Sequence, residues 1–528
     1  MTKLLRHRFP YVELRRRLSD QSRSATERLH RHFLTIPLTD PLPGYERLAY
    51  VDPKSVKLFD AKMTTLDNGL RVVTEPTFGD YVTLGVGINA GSRYEAHYPL
   101  GIAHFVEKLA FSGSENYDTN AHIYEILEQK GALIDCQTTK DTCIYASSCH
   151  VDHAEEILKI IADTVHRPVF TSHSVDYARQ VIKFENEAAA KEPEPENRLI
   201  DWAHTAGFRG NTLGFSKFCD NSAIDNVDIK HLYSFISQYH TPDRIVVGAV
   251  GVNHERLVEW CERLFDTKNT IWSRNDQLLV DKLPPVDRSL AQYTGGELRQ
   301  KRDLSRMARG PHPFPNLAHL MLGFEGVSVK HDDFVAFCVL QSLLGGGGSF
   351  SAGGPGKGMY SRLYTDVMHH YHWMYNSTAF NYSYADSGLF CIRSSQPPEN
   401  LLKGAKIILT EFFRLNETDV NEGELQRAKT QLKSQLMMNL ELRPVMFEDM
   451  TRQVLAHNER RKPQDYLRKI DAVRSVDIRR VTERMLMTKP CVVGYGDLRG
   501  LPDYENFDRA VVERSPRLLD PTRSVVFG

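Results

Sequence analysis

The chain has 528 residues, a formal net charge of −1 and eight cysteines. That length is too great for one hydrophobic core and predicts more than one domain. The near-zero charge argues against a nucleic-acid-binding protein that relies on overall basicity. No apolar run approaches the roughly 20 residues that a transmembrane helix needs. The cysteines are scattered without a C-x-x-C pair, which fits reduced thiols better than a disulfide framework or a zinc knuckle.

The N-terminal residues 1–45 differ in composition from the rest of the chain. Arginines are frequent there, apolar residues recur at loosely helical spacing, and serines follow. Such a segment is typical of a mitochondrial transit peptide. The alternative is a solvated basic tail. Residues 39–44 predict an extended linker.

Regular secondary structure is predicted from about Thr64 onward. Local patterns predict strands at 70–74, 82–88 and 244–250, and a hairpin of 132–138 with 142–148. Helices are predicted at 119–130, 153–164, 175–191, 229–239 and 254–264. The acidic, proline-containing segment 192–196 is predicted to end the helix before it.

One further predicted helix, from Pro99 to Gly113, carries candidate chemistry. Proline suits a first helical turn and glycine suits a stop. His104, Glu107 and Lys108 are spaced i, i+3 and i+4, so they share one helix face. With histidine at position 108 the segment would read H-x-x-E-H, the inverted zinc-peptidase signature.

Lysine at position 108 changes what this helix can do. In the signature, two imidazoles one turn apart bind zinc, and the glutamate between them polarises the attacking water. A protonated ammonium has no lone pair, so Lys108 cannot ligate a metal at neutral pH. The sequence therefore predicts a zinc-peptidase helix whose metal chemistry is disabled.

The second half of the chain repeats the first at an interval of about 240–250 residues. Its matching elements are predicted at 320–324, 334–344, 375–382, 388–394, 423–441, 476–479 and 491–496. Arg443 and Pro444 are predicted to end the long helix of this half. The repeat predicts an α+β fold of two homologous domains, each an antiparallel sheet with helices. The predicted domains are 46–300 and 316–528, joined by a linker at 301–315.

A glycine-rich segment, GGGGSFSAGGPGKG, occupies residues 345–358. A phosphate-binding P-loop is disfavoured, because Lys357 is followed by Gly358 and not by serine or threonine. A disordered linker is the alternative, but the segment lies between two elements of the repeat. Long loops inside compact domains are usually functional, and glycine lets the backbone approach a ligand closely.

Three stretches, 101–111, 239–251 and the glycine-rich segment, carry a resemblance to a known family. Together with the duplication, they make the chain similar to the pitrilysin-type (inverted zinc motif) peptidases. Within that family it resembles the alpha-type subunits of mitochondrial processing peptidases. The resemblance spans about residues 60–500.

The resemblance implies a role for each position of the degenerate motif. His104 corresponds to the first zinc ligand and Glu107 to the general base. The third ligand of catalytic relatives is a glutamate in a context like V-I-x-x-E, which the sequence VIKFE matches at Glu185. Lys108 replaces the second ligand. No catalytic residue and no metal ligand is therefore expected in this chain.

The resemblance also implies a function. We expect a non-catalytic, substrate-recognition subunit in the mitochondrial matrix, inactive as a peptidase on its own. Its expected partners are a zinc-bearing beta subunit and the presequences of imported precursors. We expect no cofactor in this chain and no nucleic-acid partner. The residues implied in presequence binding are Gly345, Gly346, Gly347, Gly348, Ser349, Phe350, Gly353, Gly354, Gly356, Lys357 and Gly358.

Two other functions compete with this one. A core subunit of the cytochrome bc1 complex belongs to the same superfamily, would associate with the inner membrane, and can be combined with processing in one protein. An independently active metallopeptidase would need another ligand in place of Lys108, and none stands at the right spacing.

Two expectations concern charge. The resemblance places Glu107 and Glu185 face to face, and the Lys108 ammonium would then replace the positive charge of the metal. Alternatively, Lys108 extends to solvent. Because presequences are basic, we also expect acidic groups near the glycine-rich segment. The acidic candidates are Glu192, Glu194, Glu196, Asp332 and Asp333, and the alternative for them is a solvated face.

Overall fold

A computed structural model describes residues 60–192, 194–305, 315–348 and 359–520. All of these belong to one compact unit, Leu58–Gly528. The predicted transit peptide and most of the predicted linker lie outside the described residues. We call residues 60–295 the first half and residues 296–520 the second half.

The described part of the first half carries a six-stranded sheet with the spatial order β1-β2-β6-β3-β5-β4. Its strands are β1 (Lys62–Thr65), β2 (Arg71–Glu75), β3 (Tyr81–Ile88), β4 (Leu133–Thr138), β5 (Cys143–His150) and β6 (Ile245–Val250). Neighbouring strands are antiparallel except β2 and β6, which run parallel.

A second six-stranded sheet, within the described part of the second half, has the order β7-β12-β8-β11-β10-β9. Its strands are β7 (Gly296–Lys301), β8 (Ala318–Glu325), β9 (Gly346–Gly348), β10 (Asn376–Ser383), β11 (Gly388–Gln396) and β12 (Cys491–Gly496). Here β7 and β12 form the parallel pair.

The two sheets follow one plan, which confirms the predicted α+β fold of two homologous domains. The order β2-β6-β3-β5-β4 corresponds to β7-β12-β8-β11-β10, including the parallel pair. Each sheet is therefore mixed and not purely antiparallel, because the last strand of each half returns beside an early one. The second sheet also begins earlier than the predicted boundaries, since residues 296–301 form β7.

Helices pack against both sheets. Those of the first half are α1 (Ile102–Lys108), α2 (Asn120–Lys130), α3 (Ala154–His166), α4 (Ser172–Lys191), α5 (Glu196–Gly207), α6 (Ile229–Tyr239), α7 (His254–Leu264) and the short α8 (Ile271–Arg274). Those of the second half are α9 (Phe334–Leu344), α10 (Leu401–Glu417), α11 (Glu422–Leu440), α12 (Arg443–His457), α13 (Pro463–Ala472), α14 (Ser475–Leu486) and α15 (Tyr504–Val512). Within the described residues, no helix combines the length and the apolar character needed to cross a membrane.

The two halves exchange one helix each. Helix α5 of the first half packs on β7, β8 and β12 of the second sheet. Helix α12 of the second half packs on β2, β3 and β6 of the first sheet. Phe447 of α12 is 1% exposed and lies against Gly85 and Gly248, where a Cβ atom would approach its ring to within 2.8 and 3.1 Å. Because these glycines have no side chains, the Phe447 ring packs directly on the backbone of the first sheet.

These exchanged helices were not predicted from the sequence. Residues 192–196 do end α4, but α5 begins at Glu196 immediately afterwards. Arg443 and Pro444 separate α11 from a new helix, with proline in the first turn of α12. Helix α10 was also missed. The residues predicted to end helices do lie at helix ends, but the next helix begins at the same place in the chain.

Candidate degenerate metal site and glycine-rich segment

The helix that carries the motif is shorter than predicted. It spans Ile102–Lys108, so Pro99 precedes the helix. Gly101 at its N-cap has φ of 88°, a left-handed conformation that favours glycine. The Glu95 carboxylate accepts hydrogen bonds from the backbone N–H groups of Gly101 (2.6 Å) and Ala103 (2.9 Å). A glutamate brought back from the preceding turn therefore caps the first helical turn.

Glu95 is fully buried, and this has an electrostatic consequence. Burial raises the pKa of its carboxyl group to about 8, although the two backbone hydrogen bonds act in the opposite direction. The hydrogen bonds at the N-terminus of α1 therefore depend on the protonation state of Glu95.

A backbone hydrogen bond determines which ring nitrogen of His104 acts as the acceptor. Its side chain is 5% exposed, and the Cys219 N–H donates to its Nδ1 at 3.2 Å. An imidazole that accepts at Nδ1 is neutral and carries its proton on Nε2. Nε2 lies 3.2 Å from Oε2 of Glu185, so it donates toward that carboxylate. In this arrangement Nε2 has no lone pair free for a metal.

Lys108 joins the two glutamates of the motif. Its Nζ lies 3.0 Å from Oε1 of Glu107 and 2.7 Å from Oε1 of Glu185. Glu107 also accepts a hydrogen bond from the Thr138 N–H at 2.8 Å. The four positions His104, Glu107, Lys108 and Glu185, identified from sequence as a degenerate motif, thus meet in one cluster.

The electrostatics of the cluster favour the charged forms of Glu185 and Lys108. Hydrogen bonding from His104 lowers the pKa of Glu185 to about 2, with a further lowering from Lys108 and an opposing effect of burial. Burial lowers the pKa of Lys108, but its two glutamate partners outweigh this and leave the pKa above the ordinary value.

These residues do not fit a zinc ion. An ammonium occupies the position between the two carboxylates, and the His104 Nε2 proton points at the third candidate ligand. No group of three or more metal-binding side chains is arranged around a metal position in the part of the chain that the structure describes. The cluster is an ion-pair network between α1 and α4.

The first part of the glycine-rich segment is an edge strand and not a loop. β9 pairs with β10, with Gly346 opposite Thr378. The Gly346 N–H donates to the Ser361 hydroxyl at 3.0 Å, and the Tyr364 hydroxyl donates to the Gly348 carbonyl at 3.3 Å. The absence of side chains allows this fit, because a Cβ on Gly346 would lie 1.9 Å from the Ser377 carbonyl oxygen.

The remaining candidates of the segment fall outside the described residues: Ser349, Phe350, Gly353, Gly354, Gly356, Lys357 and Gly358. Gly345 precedes β9 as the C-cap of α9, with φ of 54°. The segment is therefore anchored on one side by a helix end and a strand pair. On the other side it is followed by Ser361 and by a short helix, Leu363–Met368, which contains Tyr364.

Comparison with known families agrees with this arrangement. Residues 71–221 match the family described as insulinase (peptidase family M16), and residues 226–432 match the peptidase M16 inactive domain. A mitochondrial-processing peptidase subunit alpha of Caenorhabditis elegans is 45% identical over 518 residues, covering 98% of this chain and 99% of that protein. The chain belongs to the M16 peptidase family.

Other M16 relatives carry the same name. A mitochondrial-processing peptidase subunit alpha of Homo sapiens is 44% identical, covering 92% of this chain and 91% of the relative. One of Solanum tuberosum is 30% identical, covering 89% and 86%. A chain of complex III2 from Candida albicans, solved with Inz-5 bound, has a TM-score of 0.68 at 18% identity and covers 85% of this chain and 99% of that one. At that identity the likeness shows a shared fold.

The acidic candidates of this M16 chain are mostly neutralised within the protein. The buried Arg393 side chain, 1% exposed, lies 2.6 Å from Glu196 and 3.3 Å from Glu194. Asp333 pairs with Arg480. Glu192 and Asp332 are exposed. Three of the five candidates, Glu194, Glu196 and Asp333, therefore form ion pairs within the protein and do not contribute to an open acidic face.

Three contributors to the M16 motif site were not predicted from sequence. They are the carboxylate of Glu95, the backbone N–H of Cys219 and the ring of Phe218, which meets His104 edge-on at 6.1 Å between centroids. Two of them lie more than 100 residues away in the chain, and the third acts through backbone groups. None leaves a periodic or spacing signal.

Proposed function

We propose that this chain is the non-catalytic, substrate-recognition subunit of a heterodimeric mitochondrial processing peptidase. It would bind presequences of precursor proteins, and a zinc-bearing beta-type partner would cleave them. The observation that carries the proposal is the Lys108 ammonium, 3.0 Å from Glu107 and 2.7 Å from Glu185. A family scaffold is retained here while its metal position is filled by a side-chain cation.

The glycine-rich segment supplies the recognition part of the proposal. At its described base, β9 pairs with β10 of the second sheet, and a Cβ atom on Gly345, Gly346 or Gly347 would lie only 2.5, 1.9 or 2.6 Å from a neighbouring atom. A segment fixed at its base in this way can present its central residues, Ser349 to Lys357, to a peptide. The names of the curated relatives support a mitochondrial location, and the matrix is the compartment that we propose.

The proposal is tested with the full chain, alone and combined with a catalytic beta-type subunit. Zinc content is measured by mass spectrometry, and cleavage is measured on a presequence peptide. We expect neither zinc nor cleavage from the chain alone, and cleavage from the pair. Deleting residues 349–358 should raise KM for the pair while its zinc content stays the same. Stoichiometric zinc and chelator-sensitive cleavage by the lone chain would overturn the proposal.

The alternative from sequence, a core subunit of the cytochrome bc1 complex, is separated by the same experiment. If the pair forms but does not cleave, the processing role fails. Isolation of the tagged chain from mitochondrial membranes, with a haem spectrum of the purified complex, then tests the bc1 role. Cleavage by the pair together with copurified haem indicates that one chain has both roles.

A further inference from the structure

A cavity of about 480 Å³ lies between the two halves. The exchanged helices α5 and α12, the turn between β4 and β5, and the end of β10 line it. Its volume falls in the range of about 300–1,000 Å³ that is usual for ligand pockets. It adjoins the degenerate motif through the segment that contains Lys217 and Phe218.

Most charges on the cavity wall are already paired. Lys140 lies 2.6 Å from Asp201, and both side chains are almost fully buried. Asp141 lies 2.7 Å from Arg93, which also pairs with Asp386 of the second half at 2.6 Å. Because both acidic groups have cationic partners, the cavity offers no unpaired carboxylate to a basic ligand.

Arg452, another charged side chain on the wall, is also paired, since it lies 2.8 Å from Glu448. Lys217 is the exception. Within the described residues, no carboxylate oxygen lies within 4.0 Å of its Nζ. The side chain is half-buried, and its Nζ lies 4.8 Å from the centroid of Phe218.

A second cation approaches the same aromatic ring. The guanidinium carbon of Arg198 lies 4.2 Å from the Phe218 centroid, and Arg198 hydrogen-bonds the amide oxygen of Asn186. Burial lowers the pKa of Lys217. The Asp201 and Glu107 carboxylates oppose this, and the smaller effects of Lys140 and Arg198 add to the lowering. A half-buried ammonium in this setting gains strongly from an anion that enters the cavity.

Two polar groups on β10 indicate a second contact that a ligand could make in this cavity. Asn381 and Ser383 line the cavity, and the Asn381 Oδ1 and Ser383 Oγ atoms are buried without a hydrogen-bond partner among the described residues. A buried acceptor without a donor costs about 1–3 kcal/mol. The Asn381 oxygen exposes almost no surface to the cavity, so this side chain must rotate before a peptide N–H group can donate to it.

We propose that this cavity binds a peptide through a carboxylate group. Lys217 contacts the carboxylate, and Asn381 accepts a hydrogen bond from a peptide N–H. The carboxylate belongs either to the C-terminus of a peptide or to an aspartate or glutamate side chain. The site is distinct from the proposed recognition of basic presequences, so either proposal can fail without the other.

The test is calorimetric titration of the full chain with three acetylated peptides. They are tetra-alanine with a free C-terminus, the same peptide as its C-terminal amide, and an amidated Ala-Ala-Glu-Ala. We expect the free acid or the glutamate peptide to bind about tenfold or more tightly than the uncharged amide, as a charge-assisted contact implies. The two charged peptides distinguish a C-terminal from a side-chain carboxylate.

Variants assign the binding to the proposed residues. Lys217→Met should weaken the charged peptides by about tenfold, Lys217→Arg should retain most binding, and Asn381→Leu should weaken all peptides. Lys403→Met, at an exposed lysine of α10, is the matched control and should change nothing. Thermal unfolding of each variant checks that it is folded. Equal affinity for acid and amide, unchanged affinity in Lys217→Met, or no binding of any peptide would overturn the proposal.

Discussion

The Glu185 carboxylate contacts both positions where the motif would hold a metal. One oxygen lies 2.7 Å from Lys108 Nζ, and the other lies 3.2 Å from His104 Nε2. A single side chain of α4 is thus attached twice to α1. The glutamate that corresponds to a metal ligand of catalytic relatives therefore connects α4 to α1 in this chain.

Replacing Lys108 with methionine tests whether its ammonium balances the glutamates. The change leaves Glu107 and Glu185 without their shared cation and should reduce the free energy of unfolding by about 1–2 kcal/mol. This is less than the roughly 3–5 kcal/mol for a fully buried pair, because the Glu185 side chain is 42% exposed. Urea unfolding measures it, with Lys159→Met as an exposed control. Equal stability of the two variants would mean that the Lys108 ammonium does not stabilise the two glutamates and that its side chain is merely solvated.

Glu185→Gln should change the acid dependence of stability. The pKa of Glu185 is lowered from its ordinary value of 4.5 to about 2, so its stabilising contribution is present above about pH 4.5. That contribution is lost as the pH falls through about 2. The difference in unfolding free energy between wild type and variant should therefore shrink across this interval. Glu187→Gln, at an exposed glutamate of α4, should show no such change.

Glu95 should give the opposite pH dependence. Its pKa is raised from 4.5 to about 8, so the associated stability is fully present below about pH 4.5 and is lost as the pH rises through about 8. Glu95→Gln, which resembles the protonated acid, should flatten this slope. Glu95→Ala should cost about 2–4 kcal/mol below about pH 4.5, because two buried N–H groups lose their acceptor, and this cost should shrink as the pH rises toward 8. A parallel slope in wild type and Glu95→Gln would contradict this assignment.

The exchanged helix α12 should contribute strongly to stability through Phe447. Phe447→Ala removes a ring that is 1% exposed and should cost about 3–5 kcal/mol in urea unfolding. Phe184→Ala, at a side chain that is 67% exposed, should stay within about 0.5 kcal/mol of wild type. A small effect at Phe447 would show that the first sheet can be covered without this helix.

Gly346→Ala tests the base of the glycine-rich segment. The new Cβ would lie 1.9 Å from the Ser377 carbonyl oxygen at a φ of 94°, so β9 should separate from β10. In the processing pair we expect a higher KM for a presequence peptide with little change in kcat. Gly210→Ala is the matched control, because Gly210 also has positive φ (69°) but open space around its Cβ position. Equal KM values for the two variants would argue that β9 does not position the segment.

Most of the repeating elements could be predicted from the sequence because their signals are local. Helix α6 (Ile229–Tyr239), helix α9 (Phe334–Leu344) and strand β12 (Cys491–Gly496) were predicted with the bounds that the structure has. Apolar periodicity and flanking breakers determine such elements within about a dozen residues. The disabled motif was equally local, since one lysine among spaced ligand types excludes the second metal ligand.

Only the tertiary structure decided which partners these elements have. The exchange of α5 and α12 depends on which sheet each helix covers, and periodicity gives no information about that choice. The pairing of Arg393 with Glu194 and Glu196 joins residues almost 200 positions apart, so an acidic run that suggested a binding face became an internal contact. Sequence alone determined that Lys108 could not bind zinc. Its contacts with Glu107 and Glu185, and the Cys219 N–H that fixes His104, required the folded chain, because these interactions depend on distances between separate elements.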